Sequence, residues 1–179
     1  NWWGSAEKPV VNVNYTGLVS FCSWLDAPTP FGELIGDGMV TNQRTGQFYC
    51  SIQAAVDDAE AGDELVASAG TFAETIVIDK PLTLNGPNVG INPNTGTRSA
   101  EAIIEMPQGL TAHTTLITIV SDDVVVDGFT IDGQKLDIAY YGSGIRSKAN
   151  RVTISNNIVK NFNGMHIYAQ ATYHSDPTQ

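Results

Sequence analysis

The sequence predicts an all-β solenoid, a stack of short strands preceded by one amphipathic helix. Two observations support this fold class. From residue 63 onward, short runs of alternating apolar residues are separated by Gly, Asn and Asp, which is typical of strands and turns. The segment "LITIVSDDVVVDGFTIDG" also aligns with "GIRSKANRVTISNNIVKN" at a constant offset that places position 117 on position 145. A repeat of about 20–30 residues built from short strands indicates a solenoid, in which each unit buries its apolar face against the next.

The repeat predicts which residues stack on one another. Its four apolar pairs are Ile117 and Ile145, Val124 and Val152, Val126 and Ile154, and Ile131 and Val159. Ile167 follows Ile145 at a shorter spacing, and Leu82 and Leu84 provide an earlier copy of positions 124 and 126. We therefore expect four related units, two of them with insertions, and an inward column of Leu84, Val126 and Ile154. An antiparallel β-sandwich is the alternative, because short alternating strands also occur in that class.

One short helix is predicted over residues 51–61, directly before the first unit. Its signals are an apolar face of Ile52, Ala55, Val56 and Ala59, an N-cap at Ser51, and Gly62 to end it. Because an open solenoid end exposes core residues and unpaired backbone groups, we expect this helix to cap the N-terminal end of the stack. In residues 1–38 the pattern predicts a single strand, near 17–21.

The stretch "SIQAAVDDAEAGDELVASAGTFAETIVIDKPLTLNG", residues 51–86, resembles the opening of right-handed parallel β-helix proteins of the pectate-lyase-like superfamily. That opening contains a helix, Gly-Asp, a strand, G-T-Y-x-E, a strand, Lys and L-x-L-x-G, with Phe72 replacing the usual Tyr here. The later "VVVDGFTIDG" and "RVTISNNIVKN" resemble NosD-type repeats. The resemblance covers about residues 50–170 and implies a right-handed parallel β-helix. It leaves the activity open, since the superfamily includes lyases, hydrolases, esterases and non-catalytic surface proteins.

The N-terminal segment has a resemblance of its own. "NWWGS" followed by "VSFCSWLDAP" is similar to the closing segment that follows β-helices in large secreted bacterial proteins, with Ser23 where those proteins have a proline. We therefore expect residues 1–38 to be the C-terminal tail of a preceding β-helix module or an N-terminal flap. Residues 39–179 are expected to form the β-helix, truncated at its C-terminal end. This resemblance implies an extracellular or cell-surface location in a bacterium.

Composition excludes some partners. The chain has 9 Lys and Arg against 19 Asp and Glu, a formal net charge of −10, which argues against nucleic acid as a partner. No apolar run approaches the roughly 18 residues of a transmembrane segment. Cys22 and Cys50 are the only cysteines and lack the spacing of a zinc site, so a disulfide between them stays open.

Acidic and basic residues on neighbouring units raise the question of catalysis. Asp122, Asp123, Asp127 and Asp132 lie on one unit, and Arg146, Lys148 and Arg151 on the next. The family resemblance connects such sets with calcium binding and proton abstraction from uronates. Asp is also favoured at turns for its local hydrogen bonds, and the sequence motifs of polygalacturonases, pectate lyases and pectinesterases are absent. We therefore assign no catalytic residue and no metal ligand, and expect no cofactor, with calcium left open.

Carbohydrate binding requires less than catalysis. Exposed aromatic rings can stack on sugars, and the candidate binding residues are Tyr140, Tyr141, Arg146 and Tyr168. The alternative is that the tyrosines pack inward or cover a loop. The sequence thus predicts a carbohydrate-associated or adhesive structural module whose partners are polysaccharide or neighbouring β-helix modules. The alternative function is a polysaccharide lyase or glycoside hydrolase acting on uronate-containing polysaccharide, with catalytic units partly outside this chain.

Overall fold

The computed structural model describes residues 23–25, 34–36, 38–107, 109, 113–134 and 142–170. Within them the chain forms strands and one short helix. In chain order these are β1 (Ser23–Leu25), β2 (Leu34–Gly36), β3 (Val40–Asn42), β4 (Phe48–Tyr49), α1 (Ile52–Asp58), β5 (Asp63–Ala67), β6 (Gly70–Ala73), β7 (Ile76–Ile78), β8 (Leu82–Asn85), β9 (Ala102–Glu105), β10 (Thr115–Ile119), β11 (Val125–Asp127), β12 (Thr130–Asp132), β13 (Ser143–Ser147), β14 (Thr153–Ser155), β15 (Ile158–Lys160) and β16 (Ile167–Ala169). The fold of the described residues is therefore all-β with one helix.

Three sheets consist mainly of parallel strands. Sheet 1 has the order β14-β11-β8-β5-β3-β4, sheet 2 the order β15-β12-β9-β6, and sheet 3 the order β16-β13-β10-β7. From β5 onward the chain passes through sheets 1, 2 and 3 in rotation. Each such set of three strands is termed a rung, so that rung 1 is β5–β7, rung 2 is β8–β10, rung 3 is β11–β13 and rung 4 is β14–β16. Every strand of one rung pairs in parallel with its equivalent in the next.

The register confirms the predicted repeat. The observed Cα partners include Ile117 with Ile145, Val126 with Ile154, Ile131 with Val159, Leu84 with Val126, and Ile145 with Ile167. The remaining predicted pair, Val124 and Val152, lies directly before β11 and β14 in the same register. Parallel pairing throughout rungs 1–4 excludes the antiparallel sandwich for this part of the chain. Among the described residues, every antiparallel pair involves a strand that precedes the rungs: β3 pairs with β4 and with β5 of rung 1, and β1 pairs with β2.

The core lies between the three sheets. Inward side chains in rungs 1–3 are fully buried, including Leu65, Ile76, Leu84, Ile117 and Val126. In β5, β7 and β8 these positions alternate with more exposed ones, as a half-buried strand requires, whereas β10, β12 and β13 each bury two successive residues. Apolar burial therefore continues from rung to rung along the stack.

The helix α1 packs against this core at rung 1. Ile52, Ala55 and Val56 are fully buried, and α1 contacts β3, β4, β5 and β7. Ala59, the fourth predicted apolar position, is also buried. The helix therefore packs against rung 1 with the buried face that the apolar spacing predicts.

Two side chains bind the ends of α1. Glu74 of rung 1 binds the N-terminus of the helix, and Lys80, in the turn after rung 1, binds its C-terminus. The carboxylate of Glu74 accepts hydrogen bonds from Ser51 Oγ at 2.6 Å, Ile52 N at 2.7 Å and Gln53 N at 3.0 Å. Lys80 Nζ donates to the carbonyls of Val56 at 3.0 Å and Asp57 at 3.1 Å. These bonds satisfy groups that the helix itself leaves without partners and match its dipole. The Glu and Lys of the 51–86 motif thus position the helix.

The C-terminus of α1 differs from the prediction. The helix ends at Asp58 and not at residue 61, because the backbone of Ala59 is extended, with φ −68° and ψ 148°. Residues 60–63 form a separate turn, in which Asp63 N donates to the Glu60 carbonyl and Glu60 N donates to the Asp63 carboxylate. Gly62, with φ +92°, occupies a left-handed position inside this turn. The buried Asp63 therefore fixes where the helix stops.

Several predictions concern residues outside the described part of the chain. They are the tryptophans of "NWWGS", the strand near 17–21, Tyr140, Tyr141 and Cys22. The prediction of a single strand in residues 1–38 was wrong, because β1 and β2 both lie there. Cys50 is disulfide-bonded. No helix in the described ranges has the length and apolar character needed to cross a membrane. The division into residues 1–38 and 39–179 stays a prediction.

Candidate functional site

A groove of about 530 Å³ lies against sheet 3 and the segments that enter its strands. Its described lining comprises His113, Thr114, Thr115, Ser143, Arg146, Met165 and Tyr168. The volume falls within the range of about 300–1,000 Å³ that is usual for small-ligand sites. Strands β10, β13 and β16 position the groove, because they stack in register along sheet 3.

Arg146 and Tyr168 lie next to each other in the lining of this groove. They are direct Cα partners across β13 and β16, and the Arg146 guanidinium carbon lies 5.9 Å from the centre of the Tyr168 ring. Parallel neighbours are about 4.8 Å apart, so side chains at paired positions stack on one another. This distance allows a cation–π contact, which holds the guanidinium against the aromatic ring.

One hydrogen-bond donor of the Arg146 side chain has no acceptor within the described part of the chain. Its Nε atom is buried and has no hydrogen-bond partner among the described residues. In the same part of the chain, none of the ion pairs involves Arg146. A buried donor without an acceptor costs about 1–3 kcal/mol, so such a group is unusual in a folded protein.

The structure brings together two of the four predicted binding residues. Arg146 and Tyr168 are adjacent in the groove, whereas Tyr140 and Tyr141 lie outside the described residues. Sequence reasoning missed Thr115 and Ser143, although they are Cα partners in the same register as Ile117 and Ile145, so the repeat could have identified them. His113, Thr114 and Met165 lie in segments between the repeats, where no sequence pattern indicated that they belong to a site.

The acidic residues that raised the question of calcium binding lie at the corners between sheets. Asp122 accepts a hydrogen bond from Asn150 N at 2.8 Å. Asp123 accepts two from Arg151, at 2.6 Å from Nε and 2.8 Å from Nη2. The hydrogen bond from Arg151 lowers the pKa of the Asp123 carboxyl, and the Asp123 carboxylate raises the pKa of Arg151. Both pairs connect rung 3 to rung 4.

Asp127 and Asp132 make similar connections at the other two corners. Asp127 accepts from Ser155 Oγ at 2.7 Å, from Asn156 Nδ2 at 3.0 Å and from Gly90 N at 3.0 Å. Asp132 accepts from Asn161 Nδ2 at 2.8 Å. Burial alone would raise the pKa of Asp132, but this bond and those from Gln134 N and Lys160 lower it overall.

These four carboxylates are therefore bonded to neighbouring segments of the stack. In the described ranges, no group of three or more His, Cys, Asp and Glu side chains is arranged to hold a metal ion. Of the predicted cationic partners, Arg151 belongs to a corner pair, Arg146 lines the groove, and Lys148 is exposed.

Comparison with known proteins finds a distant relative. The chain is 28% identical over 130 residues to a cell surface glycoprotein of Methanothermus fervidus, and the match covers 72% of this chain and 18% of that protein. The match thus spans less than a fifth of the relative's length. No protein-family model matches the chain. No solved structure matches it significantly.

Proposed function

We propose that this chain is a right-handed parallel β-helix module of a cell-surface protein, with a structural role and a carbohydrate-binding groove. The observation that supports it most strongly is the rotation of the chain through three sheets, four times in succession and always in parallel register. Stacked rungs of this kind share one apolar core and form a stiff, elongated element. Such elements suit spacers and adhesive domains.

Two independent observations support a location at the cell surface. The relative of Methanothermus fervidus is named a cell surface glycoprotein. In addition, Cys50 is disulfide-bonded, and disulfides persist mainly in oxidising environments such as the cell exterior. The bacterial origin stays a prediction.

The bonding of the corner carboxylates favours a structural role over catalysis. A lyase would need a metal-binding carboxylate cluster beside a positioned base. Asp122, Asp123, Asp127 and Asp132 instead accept hydrogen bonds from the adjacent rung or its insertions. The alternative function is calcium-dependent cleavage of uronates, and the activity assay described below tests it.

The groove supports carbohydrate binding. It combines an aromatic ring at Tyr168, a cation at Arg146 and hydroxyl groups at Thr115 and Ser143. Sugars are bound by this combination, because the ring covers an apolar face of the sugar and the polar groups bond its hydroxyls.

Three experiments test the proposed function. Antibodies raised against this chain should label intact cells of the organism that produces it, and labelling only after permeabilisation would contradict a surface location.

The purified chain should release no unsaturated product from polygalacturonate or alginate, with or without calcium. Ultraviolet absorbance from such a product, abolished in Asp127→Ala, would establish the lyase alternative instead. A crystal structure with left-handed connections between the sheets would contradict the right-handed β-helix.

A further inference from the structure

The outer face of sheet 3 exposes apolar side chains to solvent. Val77 and Val120 lie on this face and are 46% and 49% exposed. Val120 belongs to a column of residues that directly follow the strands of sheet 3, one from each rung. Backbone hydrogen bonds continue the parallel register through this column, as from Val120 N to the Ile78 carbonyl at 3.0 Å. We term it the outer column, and from rung 1 to rung 4 it comprises Asp79, Val120, Lys148 and Gln170.

The two charges of the outer column lie symmetrically about Val120. Asp79 is one rung before Val120 and Lys148 is one rung after it, so each charge is about 4.8 Å from the valine along the stack. The Asp79 side chain is 64% exposed, and Lys148 is exposed as well. Within the described ranges, Asp79 has one ion-pair partner, Lys80 at 3.8 Å, and Lys148 has none. Both charges are therefore available to another molecule.

This order of charges is complementary to itself. A two-fold axis along the strands of sheet 3, at the level of rung 2, reverses the order of the rungs and keeps each position along a strand. Such an axis places Val120 on the partner's Val120 and each Asp79 on the partner's Lys148, as a two-fold interface requires. The neighbouring column agrees with this arrangement, because Val77 then faces the apolar stem of the partner's Arg146.

We infer that a second copy of this chain docks on the outer face of sheet 3 as a two-fold dimer, in which each Asp79 pairs with the partner's Lys148. This inference goes beyond the proposed function and does not depend on carbohydrate binding. Four strands about 4.8 Å apart and about 17 Å long cover only about 250 Å², whereas a stable interface buries about 800 Å² per partner. We therefore expect weak self-association, with a Kd above about 10 μM, which many copies on one cell surface would strengthen.

Charge reversal tests this dimer by sedimentation equilibrium on the full chain under non-reducing conditions. Asp79→Lys and Lys148→Asp each place like charges opposite one another and should weaken association about tenfold or more. An equimolar mixture of the two variants should associate again, because every charge then faces its opposite. Glu105→Lys changes the net charge by the same amount as Asp79→Lys but lies in sheet 2, and it should leave association unchanged. Circular dichroism should be unchanged for all three variants.

Any of four results would overturn this inference. The first is a chain that stays monomeric at millimolar concentration. The second is association that neither charge reversal weakens, since the interface would then lie on another face. The third is failure of the two reversed variants to associate again when they are mixed. The fourth is growth of oligomers larger than a dimer, because a two-fold interface closes on itself.

Discussion

The first and last rungs carry similar apolar residues at equivalent positions, but these side chains are buried to very different extents. In rung 1, Ile76 is fully buried beneath α1, whereas its equivalent in rung 4, Ile167, is 49% exposed. Ile154 of rung 4 is likewise only partly buried, although Val126, its partner in rung 3, is fully buried. Burial at a given position therefore depends on what covers the rung, and the helix provides that cover at the N-terminal end.

The helix also satisfies backbone groups at the edge of sheet 3. The side chain of Gln53 accepts a hydrogen bond from Val77 N at 2.6 Å and donates to the Val77 carbonyl at 3.3 Å. The amide of Gln53 thus takes the place of a neighbouring strand beside β7. At the other end of the described stack, β14, β15 and β16 are the edge strands of sheets 1, 2 and 3. The comparison indicates that α1 packs over rung 1, whereas the strands of rung 4 are sheet edges in the described part of the chain.

The largest effect is expected from opening the closed end. Val56→Asp places a charge in the fully buried contact between α1 and rung 1. A buried charge without a partner costs several kcal/mol, so we expect a loss of about 3–5 kcal/mol in the free energy of unfolding. Urea denaturation followed by circular dichroism measures this loss.

A matched control is available on the exposed face of the same helix. Ala54 is exposed, and Ala54→Asp introduces the same side chain near the helix N-terminus. We expect a change within about 0.5 kcal/mol, as for most surface substitutions. Equal destabilisation by both variants would show that α1 does not close the core.

The next largest effect is expected at Arg98, which attaches rung 4 to the insertion of rung 2. Its side chain is 9% exposed, forms an ion pair with Glu101 at 2.7 Å and donates to the Asn156 carbonyl at 2.7 Å. Arg98→Ala should cost about 2–4 kcal/mol, because it leaves a largely buried carboxylate and carbonyls without donors. Arg98→Lys should recover part of this loss. An unchanged unfolding midpoint for Arg98→Ala would contradict the role of this residue as a connector.

Acid should destabilise the protein near α1 by protonating the carboxylate of Asp63. Hydrogen bonds from Arg44 and Asn42 hold the pKa of this buried carboxyl well below its ordinary value of 3.8. A carboxyl with a lowered folded pKa stabilises the protein fully above its unfolded pKa and loses that contribution as the pH falls toward its folded pKa. The thermal midpoint should therefore fall below about pH 4. Asp63→Asn should show a lower midpoint at pH 7 and a shallower decrease in acid, whereas an identical pH profile would contradict this assignment.

The smallest effect is expected at an exposed corner of rung 4. The Arg151 and Asp123 side chains are 63% and 54% exposed. Exposed ion pairs contribute little to stability and are weakened further by salt. Arg151→Gln should therefore leave the thermal midpoint unchanged within error at physiological ionic strength. A large decrease would show that rung 4 depends on its corner pairs more than its exposure indicates.

Much of the fold could be predicted from the sequence because the repeat is local and regular. The constant offset between the two aligned segments predicted the observed register at Ile117, Val126 and Ile131. The apolar spacing identified the buried face of α1, since helix periodicity determines which residues share a face. The predicted position of the helix end was wrong, because the buried carboxylate of Asp63 depends on Asn42 of β3 and on Arg44 in the turn after it.

The candidate site could be predicted only in part. Arg146 and Tyr168 were identified as separate candidates, and their pairing follows from the alignment of Ile145 with Ile167. The groove itself could not be predicted, because His113 and Met165 approach it from irregular segments whose path depends on tertiary packing. The pairing of corner carboxylates with the next rung could have been predicted from the same repeat, because Asp122, Asp123 and Asp127 are equivalent in it to Asn150, Arg151 and Ser155.

Amide hydrogen exchange tests most directly whether α1 closes one end of the stack and protects rung 1 more than rung 4 is protected. Amides of β7 and β10 should exchange at least about tenfold more slowly than those of β15 and β16, because fewer buried apolar contacts hold the last rung. In Val56→Asp the protection of β7 should be lost first. Equal protection of rungs 1 and 4 in the unaltered protein, or loss of protection in rung 4 before rung 1 in Val56→Asp, would contradict this account.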